Sequence, residues 1–169
     1  MIYSRLVHRL PIAAAACAAL LAGTTVPAQA QFRNEIAHNP ALCRADRGPA
    51  IFITVTGIKQ GGGTMRVQLY RGIKADWLQS GRWINRIELP ARGGTMQVCM
   101  PVPAAGTYGI AVRHDLNNNG RTDLTSDGGG MSNNPSISIF NLGKPSYTRT
   151  AFNVPARTVQ PIAITMKYM

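Results

Sequence analysis

Ile51-Phe52-Ile53-Thr54-Val55-Thr56-Gly57 and, beyond Gln60-Gly61-Gly62-Gly63, Met65-Arg66-Val67-Gln68-Leu69-Tyr70 set the pattern of the whole chain. In the first run Ile51, Ile53 and Val55 alternate with Phe52, Thr54 and Thr56. In the second, Met65, Val67 and Leu69 alternate with Arg66, Gln68 and Tyr70. Successive side chains of a strand point to opposite faces, so a period of two marks a strand with one buried face. Gly57 ends the first run and the glycines at 61–63 supply a turn, so the two runs are expected to form a hairpin.

The same period recurs downstream. Ile87 and Leu89 carry it first, then Met96, Val98 and Met100, and then Tyr108, Ile110 and Val112 directly after Gly106. The segment around Thr150 to Val154 and the run Ile162, Ile164, Met166 and Tyr168 give two more strands. Pro161 is expected to open that last strand, since proline has no N–H to give a ladder. Between Gly72 and Arg86 the spacing of Trp77, Leu78, Trp83 and Ile84 predicts a short helical turn or an irregular crossover. About seven short strands between Gly, Pro and Asn turns predict an all-β fold, an antiparallel β-sandwich over residues 50–169. The chain shows no internal repeat, no long helix and no inter-domain linker.

Upstream, residues 31–49 have neither period and are punctuated by Asn39-Pro40 and Gly48-Pro49, which predicts an irregular arm. Residues 1–30 read as a signal peptide. Arg5, His8 and Arg9 form a basic start, Leu10 to Ala22 is apolar, and Ala28-Gln29-Ala30 fits a signal-peptidase site. That apolar run covers roughly 13 positions, short of the ~20 a membrane-spanning helix needs. Cys17 lacks the leucine that usually precedes a lipidated cysteine. Cleavage after Ala30 and a periplasmic or secreted destination are therefore expected, with no transmembrane segment left after processing.

The 169 residues carry 18 Lys and Arg against 7 Asp and Glu, a formal charge of +11; Arg5 and Arg9 would leave with the signal. Such an excess favours acidic partners, among them anionic glycans and lipid headgroups. The basic residues are spread singly from Arg33 to Lys167, without a run or an aromatic-interleaved patch, so no nucleic acid partner is expected. Processing leaves two cysteines, Cys43 and Cys99. A lone pair in an exported domain points to a Cys43–Cys99 disulfide. Two free thiols or a metal pair are the alternatives, and neither cysteine has a closely spaced His or Cys to complete a metal site.

The segment richest in chemistry is His114-Asp115-Leu116-Asn117-Asn118-Asn119-Gly120-Arg121-Thr122-Asp123. Asp115, Asn117, Asn119 and Asp123 fall at the first, third, fifth and ninth places of a calcium loop. Gly120 takes the sixth, and Arg121 at the seventh would give its main-chain carbonyl. Calcium is a hard ion that accepts carboxylate, amide and carbonyl oxygens together. The twelfth place is Ser126 in place of the bidentate glutamate of an EF-hand, with Asp127 beside it as the substitute ligand. The bland reading is an Asn/Gly turn whose side chains cap their own backbone.

No catalytic set stands out. There is no Gly-x-Ser-x-Gly, and His38 lies in the arm. His114 and Asp115 are adjacent, so on a strand they point to opposite faces. Ser132-Asn133-Asn134 is expected to be a polar turn folding over the ion loop.

Val102-Pro103-Ala104-Ala105-Gly106-Thr107-Tyr108 resembles the start of a strand in transthyretin-like and Ig-like seven-stranded sandwiches, where the glycine makes a corner and the tyrosine packs inward. A wider likeness rests on the 114–123 segment, then Gly130-Met131-Ser132-Asn133-Asn134, then Ala151-Phe152 and a strand ending at Tyr168. From Ile51 to Tyr168 the chain resembles an exported bacterial family catalogued as domain of unknown function 2141. The resemblance implies a β-sandwich and export, without an assigned activity. Here Met131 stands where that family tends to have an aromatic residue. Asp127-Gly128-Gly129-Gly130 lacks the Pro and Glu common in that stretch, so no glutamate ligand is carried over.

These features lead to a non-enzymatic binding or structural module of the cell envelope, with calcium as its ion. The alternatives are an envelope-polymer hydrolase using His114, Asp115 and Asp123, and a basic adhesin-like protein for anionic glycans or lipid headgroups.

Overall fold

Alternation along Ala50–Ile58 (β2) buries Ile51, Ile53 and Val55 completely, and along Thr64–Arg71 (β3) it buries Met65, Val67 and Leu69. These two rows face each other across the core of a β-sandwich, seen in a computed structural model that describes residues 32–138 and 143–169. The expected signal peptide lies outside the described residues. The remaining strands are Asn34–Glu35 (β1), Asn85–Pro90 (β4), Gly94–Pro101 (β5), Gly106–Asp115 (β6), Gly128–Met131 (β7), Phe152–Val154 (β8), Val159–Thr165 (β9) and Lys167–Tyr168 (β10).

One sheet has the order β1-β4-β3-β6-β7-β10, with β8 also pairing β6; the other has the order β5-β2-β9. The hairpin expected from the two opening runs does not form, because β2 and β3 belong to different sheets. Periodicity identifies a buried face and leaves the partner strand open. The glycine segment between them is a corner from one sheet to the other. At Gly63 (φ +70) an added Cβ would sit 2.2 Å from the Asp115 carbonyl oxygen, so only glycine fits there.

The sandwich is mixed where antiparallel pairing throughout was expected. β9 runs parallel to β2, and β1 runs parallel to β4. Pro161 sits inside β9, opposite Phe52, and does not open it. β9 is an edge strand, where a missing N–H costs the ladder little. Residues 72–84 form the expected irregular crossover, while Asn85 and Arg86 at its predicted end already belong to β4. Trp77 from this crossover lies over Gly109, where a Cβ would come within 2.7 Å of the ring, and its indole N–H donates to the Pro145 carbonyl at 2.9 Å. Trp77 joins Tyr70, Trp83, Ala111 and Met131 in a second apolar cluster on the outer side of the large sheet.

The N-terminal arm is more ordered than its sequence suggested. It contributes β1 and two 3₁₀ turns, Pro40–Leu42 and Ala45–Arg47, the first capped by Asn39. The Cys43–Cys99 disulfide (Cα–Cα 5.6 Å) fastens the arm to β5, and the Cys99 N–H donates to His38 Nε2 at 3.1 Å. Phe32 lies under the guanidinium groups of Arg71 and Arg82, at 5.1 and 4.1 Å from the ring centre. Both arginines also grip Asp76, which is fully buried: Arg71 through Nε to Oδ2, Arg82 through Nη2 to Oδ1 at 2.7 Å. Burial alone would raise the Asp76 carboxyl. Hydrogen bonds from Arg71 and Arg82, and then their charges, outweigh it and hold the pKa below the ordinary 3.8.

Three outcomes follow from these anchors. Replacing both Cys43 and Cys99 by alanine should cost about 4 kcal/mol in the loop-entropy view, measured by urea denaturation. Asp76→Ala should cost about 3 kcal/mol, toward the low end for a broken buried pair, because Arg71 and Arg82 are 39% and 41% exposed and can rehydrate. The Asp76 carboxyl is depressed on folding, so its contribution is present above its ordinary value and is lost as pH falls through the lower folded value. Denaturation midpoints of the wild type should therefore fall more steeply on acidification than those of Asp76→Asn.

Candidate functional site

β6 carries the site because it is paired along both edges and its register is fixed. Ile110, Val112 and His114 point into the core; Ala111, Arg113 and Asp115 face outward. The strand begins at Gly106, and Tyr108 packs inward with its hydroxyl donating to the Ala104 carbonyl at 2.8 Å, as the local resemblance implied. It ends at Asp115, where the acidic and amide loop leaves the sheet and returns at β7.

The loop is organised by its own side chains. Asp115 Oδ2 accepts from the Gly120 N–H at 2.9 Å, tying the first place of the loop to the sixth, and from Arg113 Nη2 at 3.2 Å. Asp115 is 3% exposed, and its Oδ1 is buried without a hydrogen-bond partner. Asn117 Oδ1 accepts from the Asn119 N–H at 3.1 Å, and Asn119 Oδ1 from the Arg121 N–H at 2.8 Å. Both amide Nδ2 groups converge on Asp123 Oδ2, at 3.0 and 2.7 Å. Asp127 is buried and closes the loop, accepting from the Leu116 N–H (3.2 Å) and the Asp123 N–H (3.0 Å). Gly120 has φ +74 and makes the turn. Among the described residues no three His, Cys, Asp or Glu side chains gather as a ready metal group. The oxygen set here mixes carboxylates with amides.

His114 is placed apart from Asp115 and Asp123. It is completely buried, and both ring nitrogens are engaged. Nε2 lies 2.7 Å from the Gly62 carbonyl, which can only accept, so this nitrogen carries the proton. Nδ1 then accepts from the Tyr168 hydroxyl at 2.8 Å, whose oxygen accepts from the Lys59 N–H at 3.3 Å. Burial raises the Tyr168 pKa, and the Lys59 N–H opposes the rise. The chain Gly62–His114–Tyr168–Lys59 ties the glycine corner to the last strand, which is a structural task.

Ser132-Asn133-Asn134 does not fold over the loop. Ser132 Oγ accepts from the Ile110 N–H at 3.0 Å and donates to the Thr150 carbonyl at 2.6 Å. Asn133 Nδ2 donates to the Ala151 carbonyl, while Asn134 donates to the Ala163 carbonyl and accepts from the Thr165 N–H. These three residues satisfy backbone groups around β8 and along the open edge of β9, linking the two sheets.

The dispersed basic residues were misjudged from sequence, because pairing collects some of them. Arg66 is opposite Arg113, Arg113 is opposite Gly129, and Gly129 is opposite Lys167, so one row crosses the outer face of the sheet from β3 to β10. Glu88 on β4 ends the row and pairs with Arg66 Nε at 2.6 Å. Burial and then the charge of Arg66 lower the Arg113 pKa, against the opposing pull of Asp115, Asp127 and Glu88. Matching residue parity between β3 and β6 is the sequence signal that could have found this row.

A β-sandwich with an acidic and amide loop at the end of a central strand defines the class. The chain belongs to an uncharacterised protein family conserved in bacteria, domain of unknown function 2141, whose model matches residues 53–162. No curated protein and no solved structure matches the chain.

Tyr168→Phe tests the structural assignment of His114. It removes the donor to Nδ1 and the acceptor for Lys59, leaving buried His114 short of a partner. Stability should fall by about 1–2 kcal/mol in denaturant titrations with an unchanged slope.

Proposed function

We propose that this protein is an exported, non-enzymatic binding or structural module of the bacterial cell envelope whose 115–127 loop is set by calcium. One observation carries the ion assignment: Asp115 Oδ1 is buried without a partner while Oδ2 of the same carboxylate is tied to Gly120. A buried carboxylate oxygen with nothing to bind is costly, and a cation supplies what it lacks. Asn117, Asn119, Asp123, Asp127 and the Arg121 carbonyl would complete the shell, at about the 10⁻⁴ to 10⁻³ M affinity of extracellular modules. The bound ion would replace the two amide hydrogens at Asp123, each amide turning its oxygen inward.

Export is supported by the expected signal peptide and by the disulfide, which suits an oxidising compartment. The absence of an enzyme role is supported by His114, whose ring is consumed by Gly62 and Tyr168 on the face opposite Asp115.

Melting curves of chelated protein with added calcium test the ion. Binding to the folded form alone gives about 2.7 kcal/mol at ~100 times the dissociation constant. Asp115→Ala should abolish most of the shift, and exposed Thr125→Ala should keep it. Magnesium should do less, since it demands a tighter octahedral shell. A curve indifferent to millimolar calcium would return the loop to a polar turn.

A further inference from the structure

A cleft of about 570 Å³ opens on the outer face of the large sheet, beside the loop, whose Asp123 and Asp127 form part of its wall. Its size is that of a small-molecule site. Its floor changes character along the strands. At the loop end stands the row of Arg66 and Arg113 with Lys167 across Gly129. One step further from the loop the lining is Leu78, Ala111 and Met131, backed by buried Tyr70.

Several features of this cleft go beyond what folding requires. Arg66 and Arg113 are direct cross-strand neighbours of like charge, an arrangement that weakens a sheet and that Glu88 and Asp115 offset only through each arginine's own ion pair. Arg113 Nε is buried without a partner, and Lys167 makes no ion pair among the described residues. Of the three exposed large apolar side chains among the described residues, two, Leu124 and Met169, stand on the walls of this cleft. Between the cations, Gly129 leaves a gap in which an added Cβ would meet nothing within 4 Å.

We propose that this cleft binds a free single-chain amphiphile with an acidic head group, the head between Arg113 and Lys167 and the chain along Leu78, Ala111 and Met131. Arg66 and Arg113 have carboxylate partners in Glu88 and Asp115, so a neutral sugar would leave Lys167 unanswered, and inorganic anions would leave the apolar half wet. Asp123 and Asp127 also face the cleft from the loop side and oppose an anion, so the inference rests on the calcium reading to the extent that a loop ion offsets them.

The probe is octyl sulfate, titrated calorimetrically into calcium-loaded protein whose melting shift with calcium is recorded on the same sample. Octyl glucoside supplies the same chain without charge, and inorganic sulfate the head without chain. Saturable binding at one site, tighter for octyl sulfate than for either control, is expected. Gly129→Glu puts a carboxylate between Arg113 and Lys167 at a position with open space, so it should fold, melt as the wild type does and lose about tenfold in affinity or more. Gly129→Gln, equal in bulk without the charge, should lose less. Equal binding of octyl glucoside, undiminished affinity in Gly129→Glu, or binding only to phosphatidylglycerol vesicles would overturn the proposal. A calcium melting shift without octyl sulfate binding would overturn the cleft and leave the loop standing. Octyl sulfate binding without a calcium shift would support the cleft and remove the loop ion.

Discussion

Pairing along both edges of β6 constrains everything around it. β3 holds one side over eight registered residues from Tyr108 to Asp115, and β7 and β8 hold the other. A strand tied on both sides cannot slip by one residue without turning its faces over. Such a slip would drive Arg113 and Asp115 into a core of Ile, Val and Met and expose Ile110 and Val112. Burying those charges would cost far more than a sheet bond returns. The placement of the loop and of the basic row on the outer face is therefore fixed by packing on the inner one.

The sandwich is then closed by side chains that answer backbone groups at its corners. Gly62 offers its carbonyl to His114, and Tyr168 completes the ring's bonds while Ser132 and Asn134 reach Ile110, Thr150 and β9. Polar residues that look reactive in sequence serve here as substitutes for missing ladder bonds, because a buried N–H or carbonyl without a partner is costly. Met131 serves the same close packing: it fills space in the outer cluster with Tyr70, Trp77 and Trp83.

Much of this was legible because alternation is a local consequence of burial. β2, β3, β4, β5 and β6 fall where Ile51, Met65, Ile87, Met96 and Tyr108 begin their periods. What alternation cannot carry is pairing. It gave no sign that β2 and β3 part company, that β9 runs parallel to β2, or that Pro161 is safe on an edge. The loop oxygens were visible because their spacing is local. The basic row was not, since Arg66, Arg113 and Lys167 are distant in sequence and meet only through register.

β7 was invisible for a different reason, and that reason bears on the cleft. Gly128, Gly129 and Gly130 carry no side chains to alternate, and glycine is a weak strand former. Gly128 and Gly130 are required by close approach on the inner side: a Cβ would lie 2.5 Å from the Tyr168 ring and 2.7 Å from Ile164 Cγ2. Gly129 points outward and has no such neighbour. Packing would tolerate a side chain there, yet glycine keeps the floor open between Arg113 and Lys167. A residue that burial does not demand, set between two cations in an open cleft, is most simply understood as room kept for something that binds.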